Sequence, residues 1–229
     1  MKYRRFAVYY TPPVGALAEF GAAWLGWDIA RGCAVDHPDV PGLPRPVSEL
    51  TATPRRYGFH GTVKPPFRLA EGRDAEDLAG AMAALCARRH AVTLDGLELS
   101  RIGAFLALTP RGDTAGLKAL AASMVRELDA FRAPLTAQEI EKKRHSNLTA
   151  AQEENLMTWG YPYVMDQFRF HLTLTGRLSR AEGDSVRAAL APVLDPIRPT
   201  PFRITDLTLV GEDEDGMFHT LHRYALTAG

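Results

Sequence analysis

The chain is poor in cysteine: of its 229 residues only Cys33 and Cys86 carry a thiol. Neither belongs to a Cys-x-x-Cys pair, which excludes a zinc ribbon or a dithiol redox motif and points to a reducing compartment. An excess of either charge is also missing. Lys plus Arg total 27, and so do Asp plus Glu. That balance argues against a grip on long nucleic acid, which needs many uncompensated cations. No run of about 18 apolar residues occurs, so no transmembrane helix is expected. Met1-Lys2-Tyr3-Arg4-Arg5-Phe6 lacks the apolar core of a signal peptide. Together these absences predict a cytoplasmic protein that engages no membrane. With 46% apolar and 24% charged residues, the composition is that of a soluble globular chain, long enough for one large domain or two small lobes.

What the chain does have is one tetrapeptide pattern used twice. His60-Gly61-Thr62-Val63 and His171-Leu172-Thr173-Leu174 both read His-x-Thr-aliphatic. Tyr57-Gly58-Phe59 leads into the first and Phe168-Arg169-Phe170 into the second. Side chains two apart on a strand share a face, so each copy places an imidazole and a hydroxyl together. Two such strands side by side present His60, Thr62, His171 and Thr173 to one cleft. That set suits phosphodiester cleavage. One His takes a proton from the attacking oxygen and the other delivers one to the leaving oxygen, near the pH where imidazole titrates. The threonines supply donors for the non-bridging oxygens, where charge grows. The scheme requires no metal and no other cofactor.

Periodicity and punctuation place these motifs. Arg5 to Tyr10 is a strand ended by Pro12-Pro13, and a helix follows over 14–27. Residues 32–55 carry five prolines and no period, so a loop packed near the cleft is expected. The first motif strand spans 57–63, and Lys64-Pro65-Pro66 turns the chain away. Asp74 caps a helix to about residue 89, and strands follow over 92–100, with a bend at Gly96, and 102–108. Asp113 or Thr114 opens a helix that Pro134 closes. Thr136-x-x-Glu139, Thr149-x-x-Gln152 and Ser179-x-x-Glu182 are capping-box patterns that start three further helices. The Glu141-to-His145 run reads as a solvated face. The second motif strand spans 168–174. A terminal hairpin, 202–210 with 217–226, closes on the acidic segment Gly211-to-Gly216, which lacks calcium-loop spacing.

Strand, helix, motif strand, helix, strand: this order occurs twice, over about 1–101 and 102–229, within one bilobal domain. Such a duplication brings the two motif strands around a common axis. Four further residues are candidate substrate contacts: Tyr57, Lys64, Arg169 and Arg177. Arg169 shares the alternation of His171 and Thr173, whereas Tyr57 needs an irregular strand to reach His60. His219-x-x-His222 suggests a metal pair, but on a regular strand that spacing sends the rings to opposite faces.

At this point the chain resembles the 2H phosphoesterase superfamily, whose mark is two His-x-Thr/Ser-hydrophobic motifs. The resemblance covers most of the chain. More narrowly, Arg56 to Phe67, Trp159 to Val164 and Phe168 to Leu178 resemble the DUF1045 branch, associated with bacterial phosphonate (carbon–phosphorus lyase) gene clusters. It implies an α+β fold: duplicated and two-lobed, with two antiparallel sheets forming a central cleft and helices outside. It also implies action on cyclic phosphates. The gene-cluster association implies a small phosphorylated substrate, a ribosyl 1,2-cyclic phosphate bearing a 5-phosphate. The alternatives are a phosphodiesterase or ligase for RNA or nucleoside 2′,3′-cyclic phosphates, and a module that binds a phosphorylated ligand without turnover.

Overall fold

The structure is a computed structural model that describes residues 2–145 and 147–228. Strand β1 (Arg5–Tyr10) is apolar almost throughout because both of its faces are covered. Phe6, Val8 and Tyr10 enter the main core, while Ala7 and Tyr9 enter a smaller one on the opposite face. Helix α1 (Ala16–Leu25) stops at Gly26, whose φ of 75° is the left-handed value a helix end favours. A short hairpin follows, β2 (Trp27–Asp28) with β3 (Cys33–Ala34), then one helical turn, α2 (Val47–Leu50), inside the proline-rich loop. The first half continues with β4 (Gly61–Phe67), α3 (Ala75–Cys86), β5 (Val92–Leu94) and β6 (Gly96–Ile102). The second half runs β7 (Phe105–Arg111), α4 (Ala115–Glu127), α5 (Ala137–Arg144), α6 (Ala150–Trp159), β8 (Leu172–Thr173), α7 (Arg180–Leu194), β9 (Phe202–Ile204), β10 (Asp206–Glu212) and β11 (Phe218–Ala225). No described helix is long and apolar enough to cross a membrane.

The fold is α+β. Seven antiparallel strands run in the order β11-β10-β1-β4-β8-β7-β6. The two expected sheets are two groups of strands, β11-β10-β1-β4 and β8-β7-β6, joined into one ladder by a single pair, Gly61 with Leu172. From the outside inward, one group reads β10-β1-β4 and the other β6-β7-β8. Helices α3, α4 and α7 and Trp24 of α1 all feed the main core on one face. The other face of the seam is left for the motif side chains. β5 and β9 pair separately, because Gly96 breaks the stretch predicted as one strand.

All three capping boxes form, at Thr136, Thr149 and Ser179, and Asp74 caps α3 through Asp77 N. The two motif strands differ from their predicted spans. β4 starts at Gly61 and runs on through Pro65 and Pro66, where the sequence suggested a turn. Beyond Gly61 no pairing to β8 exists, so that edge needs no amide from either proline. β8 keeps only Leu172 and Thr173, since a 3-10 turn over Met165–Gln167 precedes it. The proline-rich loop is tied to the end of α1 and to the turn that follows β8. Arg55 Nε donates to Leu25 O at 2.9 Å, and Leu50 O accepts from Gly176 N at 2.7 Å.

Candidate active site

The seam pair sets the geometry. With Gly61 opposite Leu172, one antiparallel step either way puts Thr62 opposite His171 and His60 opposite Thr173. Directly opposite residues share a face with Cβ atoms about 5 Å apart, so this register directs all four motif side chains to one face. The intervening residues go into the core: Phe59, Val63, Phe170, Leu172 and Leu174 are buried there. Gly61 is needed for this crossing, because a Cβ on it would lie 2.3 Å from the Phe170 ring. Gly21 of α1 makes the matching allowance for Phe59, whose ring would be 2.0 Å away.

Each imidazole is held by the carbonyl two residues before it. His60 Nδ1 is 2.9 Å from Gly58 O, and His171 Nδ1 is 2.7 Å from Arg169 O. A carbonyl only accepts, so the neutral rings carry their proton on Nδ1 and leave Nε2 as the base. His60 Nε2 lies 3.0 Å from Thr62 Oγ1, and the ring stacks on Tyr9 with centroids 3.7 Å apart. His171 has Phe105 as its aromatic neighbour, at 5.6 Å. Burial pushes His60 down to about 4. The bond to Gly58 opposes that shift, and the charge of His171 adds to it. Burial also lowers His171, against its bond to Arg169 O and with help from the Arg169 charge.

The other four candidates fare differently. Tyr57 lies beside His60, ring centroids 6.2 Å apart, at the end of a 3-10 turn rather than on a strand. Arg169 is exposed next to His171 and touches it through its carbonyl oxygen. Arg177 is exposed past the end of β8, between the backbone anchors of Gly176 to Leu50 and Leu178 to Ala104. Lys64 is a correction. Its Nζ is buried on the helix side, donating to Val125 O at 3.1 Å with Asp129 Oδ1 at 3.9 Å. The register explains it: Thr62 faces Tyr9 but Lys64 faces Val8, so two residues of β4 oppose one of β1. That bulge turns Lys64 off the histidine face. Burial then pushes its ammonium down to about 8, against the opposing pull of Asp129.

A second bulge corrects the reading of His219 and His222. Leu209 pairs with His222 and Gly211 with His219, so Leu221 is the extra residue and the two rings share a face. His219 Nε2 is nevertheless engaged by Asp213 Oδ2 at 2.6 Å, and no group of three metal-ligating side chains is found among the described residues. The sequence reading missed Tyr9, the aromatic wall of His60, and Lys143, whose ammonium sits 4.6 Å over the Tyr161 ring instead of in solvent. The alternation of β1 was the available signal for Tyr9. Nothing in the local pattern marks Lys143.

The chain matches the family described as "Protein of unknown function (DUF1045)" over residues 62–219. It is 39% identical over 218 residues to "Ribose 1,5-bisphosphate phosphokinase PhnN" of Janthinobacterium sp. (strain Marseille), covering 93% of this chain and 48% of that protein. It is 32% identical over 228 residues to the protein of the same name from Laribacter hongkongensis (strain HLHK9), covering 98% and 53%. The chain thus spans about half the length of the curated relatives it matches. Among solved structures it aligns with E. coli LigT in apo form at 17% identity and a TM-score of 0.46, over 99% of both chains.

Proposed function

The chain belongs to the DUF1045 family, and from that footing we propose that it is a metal-independent cyclic phosphodiesterase acting on a small sugar phosphate. One observation supports the reading: the Gly61–Leu172 pair sets the two His-Thr segments side by side, each imidazole with Nδ1 engaged by a backbone carbonyl. His60, packed on Tyr9 and held neutral, is the base that takes a proton from water. The hydroxide oxygen bonds to phosphorus as the ring P–O bond breaks in line with it. His171, in its protonated form, gives the leaving oxygen its proton. Thr62 and Thr173 donate to the non-bridging oxygens as charge builds.

The substrate in this reading is a ribosyl 1,2-cyclic phosphate with a 5-phosphate. Adding water across the bond from phosphorus to O2 leaves ribose 1,5-bisphosphate, the compound named in the relatives' activity. A half that makes this compound, joined in those relatives to further chain, is chemically coherent.

The test is turnover with EDTA present. The panel is this cyclic phosphate, nucleoside 2′,3′-cyclic monophosphates and an oligonucleotide with a 2′,3′-cyclic end. Each is given to wild type, His60→Ala and His171→Ala. The expected result is turnover of the ribosyl ester, lowered about 10²–10⁴-fold in both variants. Selective turnover of a nucleotide ester overturns the substrate. Turnover indifferent to both histidines overturns the mechanism.

A further inference from the structure

His60 is held by Gly58 O, and the turn that carries Gly58 is held by one guanidinium. That turn, Arg55–Tyr57, closes with Gly58 N donating to Arg55 O at 3.0 Å. Gly58 leaves it at φ 68° and ψ 175°, a conformation open almost only to glycine. A Cβ on Gly58 would lie 2.6 Å from the Ile29 side chain, so the carbonyl sits in a tight place. It meets His60 Nδ1 only while the turn stays where it is. The Arg55 side chain fixes that position. Its Nε donates to Leu25 O at 2.9 Å, at the end of α1. Its Nη2 donates to Ser48 O of α2 at 2.6 Å, with Thr51 Oγ1 and His37 Nε2 each at 3.3 Å. His37 Nδ1 lies 3.2 Å from Ala23 O and 3.1 Å from Trp24 O. Carbonyls only accept, so His37 donates there and receives Arg55 on Nε2. Capping α1 would account for the bond to Leu25 O alone. The other three acceptors belong to the proline-rich loop, and a planar fork reaches several fixed acceptors where an ammonium does not. On the far side of the His60 ring, Thr62 Oγ1 can donate or accept, so it does not choose the tautomer.

We infer that Arg55 is a positioning residue for His60. By pinning the turn to α1 and to the proline-rich loop, it keeps Gly58 O on Nδ1 and so keeps Nε2 the nitrogen that takes the proton. Arg55 acts on the reaction only through Gly58. Fixing the tautomer of a catalytic imidazole in this way serves the rate without any contact to substrate. The inference rests on the placement of the general base at His60. The second motif is held differently, since His171 Nδ1 meets the carbonyl of exposed Arg169. His171 is therefore the internal reference for any change at His60.

The test is long-range proton–nitrogen NMR of the imidazoles in wild type, Arg55→Gln and Arg55→Lys. It is run at about pH 8, where both motif histidines are neutral. Circular dichroism and a thermal melt check each fold. Wild type is expected to carry the proton on Nδ1 in both motif histidines. In each variant His60 is expected to become a mixture of the two tautomers, while His171 keeps its Nδ1 proton. A merely structural role would lower the melting temperature and leave the His60 tautomer as it was. In parallel, kcat for the cyclic ester is expected to fall about 10²-fold in both variants, with KM near the wild-type value. Arg55→Lys keeps the charge without the fork, so it decides the matter should Arg55→Gln fail to fold. An unchanged His60 tautomer in a folded variant overturns the inference, as does an equal change at His171 or full turnover by that variant. Failure of the hydrolase reading looks different: wild type turns over no ester, while the His60 tautomer still follows Arg55.

Discussion

His60 and His171 are alike on one side of the ring and unlike on the other. Both Nδ1 atoms rest on a carbonyl two residues upstream, and both histidines precede a threonine by two. Beyond that, His60 leads into a seven-residue strand, stacks on buried Tyr9 and touches Thr62. His171 leads into a strand of two residues and stands near Phe105 and an exposed Arg169. The repeated motif therefore reproduces the tautomer and the facing of the two groups, while the walls around them set different environments. A general acid and a general base need that difference, because identical surroundings would give both groups the same protonation preference.

The comparison breaks most completely at the seam. Gly61→Ala drives a methyl into the Phe170 ring, and the one strand pair that joins the two motifs lies there. Overpacking of this kind costs about 1–3 kcal/mol, and activity is expected to fall to background as the histidines part. A thermal melt and the turnover assay report both effects, and an active, equally stable variant contradicts this account of the seam. A smaller effect sharpens the comparison. Thr62→Val removes a donor to substrate and also the contact with His60 Nε2, whereas Thr173→Val removes only the first. Both are expected to lower kcat, by about tenfold or more, with Thr62→Val the worse. Equal losses would mean the Thr62–His60 contact is idle in turnover.

Titration separates the two rings more gently. His60 is held near 4 and His171 below its ordinary 6.5. For free enzyme, kcat/KM is expected to be bell-shaped, rising through about 4 and falling below 6.5, and kcat shifts to higher pH because a bound anion favours imidazolium. Stability follows from the same shifts. Native pKa values below the unfolded ones mean the unfolded chain binds more protons between 6.5 and about 4. Stability is thus complete above 6.5 and is lost as pH falls through that window, by on the order of 3 kcal/mol for His60. Histidine NMR titration, with His60 titrating below His171, is the check. The smallest change expected is in Lys64→Met. The buried stem is replaced by one of similar length, so KM for any phosphate ester should stay at the wild-type value. A raised KM would return Lys64 to the site.

Local chemistry made much of this legible in advance. Thr136, Thr149 and Ser179 carry a glutamate or glutamine three residues on, and each cap closes as that spacing requires. The two His-x-Thr patterns announced the four motif residues because face-sharing over two positions is a property of any extended chain. Lys64 was misplaced because a turn was expected after the motif, whereas β4 runs on through it with a bulge that aims it into the core. The His219–His222 pair was misread because alternation was carried through a position where an extra residue enters the ladder, and such a bulge depends on the partner strand. Lys143 escaped because its run, Glu141 to His145, is indistinguishable in sequence from an exposed helix face until Tyr161 is packed beneath it.

By itself, then, the sequence determined the elements, their caps and the identity of two histidines and two threonines, since these depend on neighbours a few residues away. Only the tertiary structure decided that the motifs share one face across Gly61 and Leu172, that His60 has Tyr9 as its wall, and that Lys64 leaves the cleft while Lys143 lies over Tyr161. Those outcomes hang on register and burial between residues far apart in the chain, and no local pattern encodes the register of a strand against its partner.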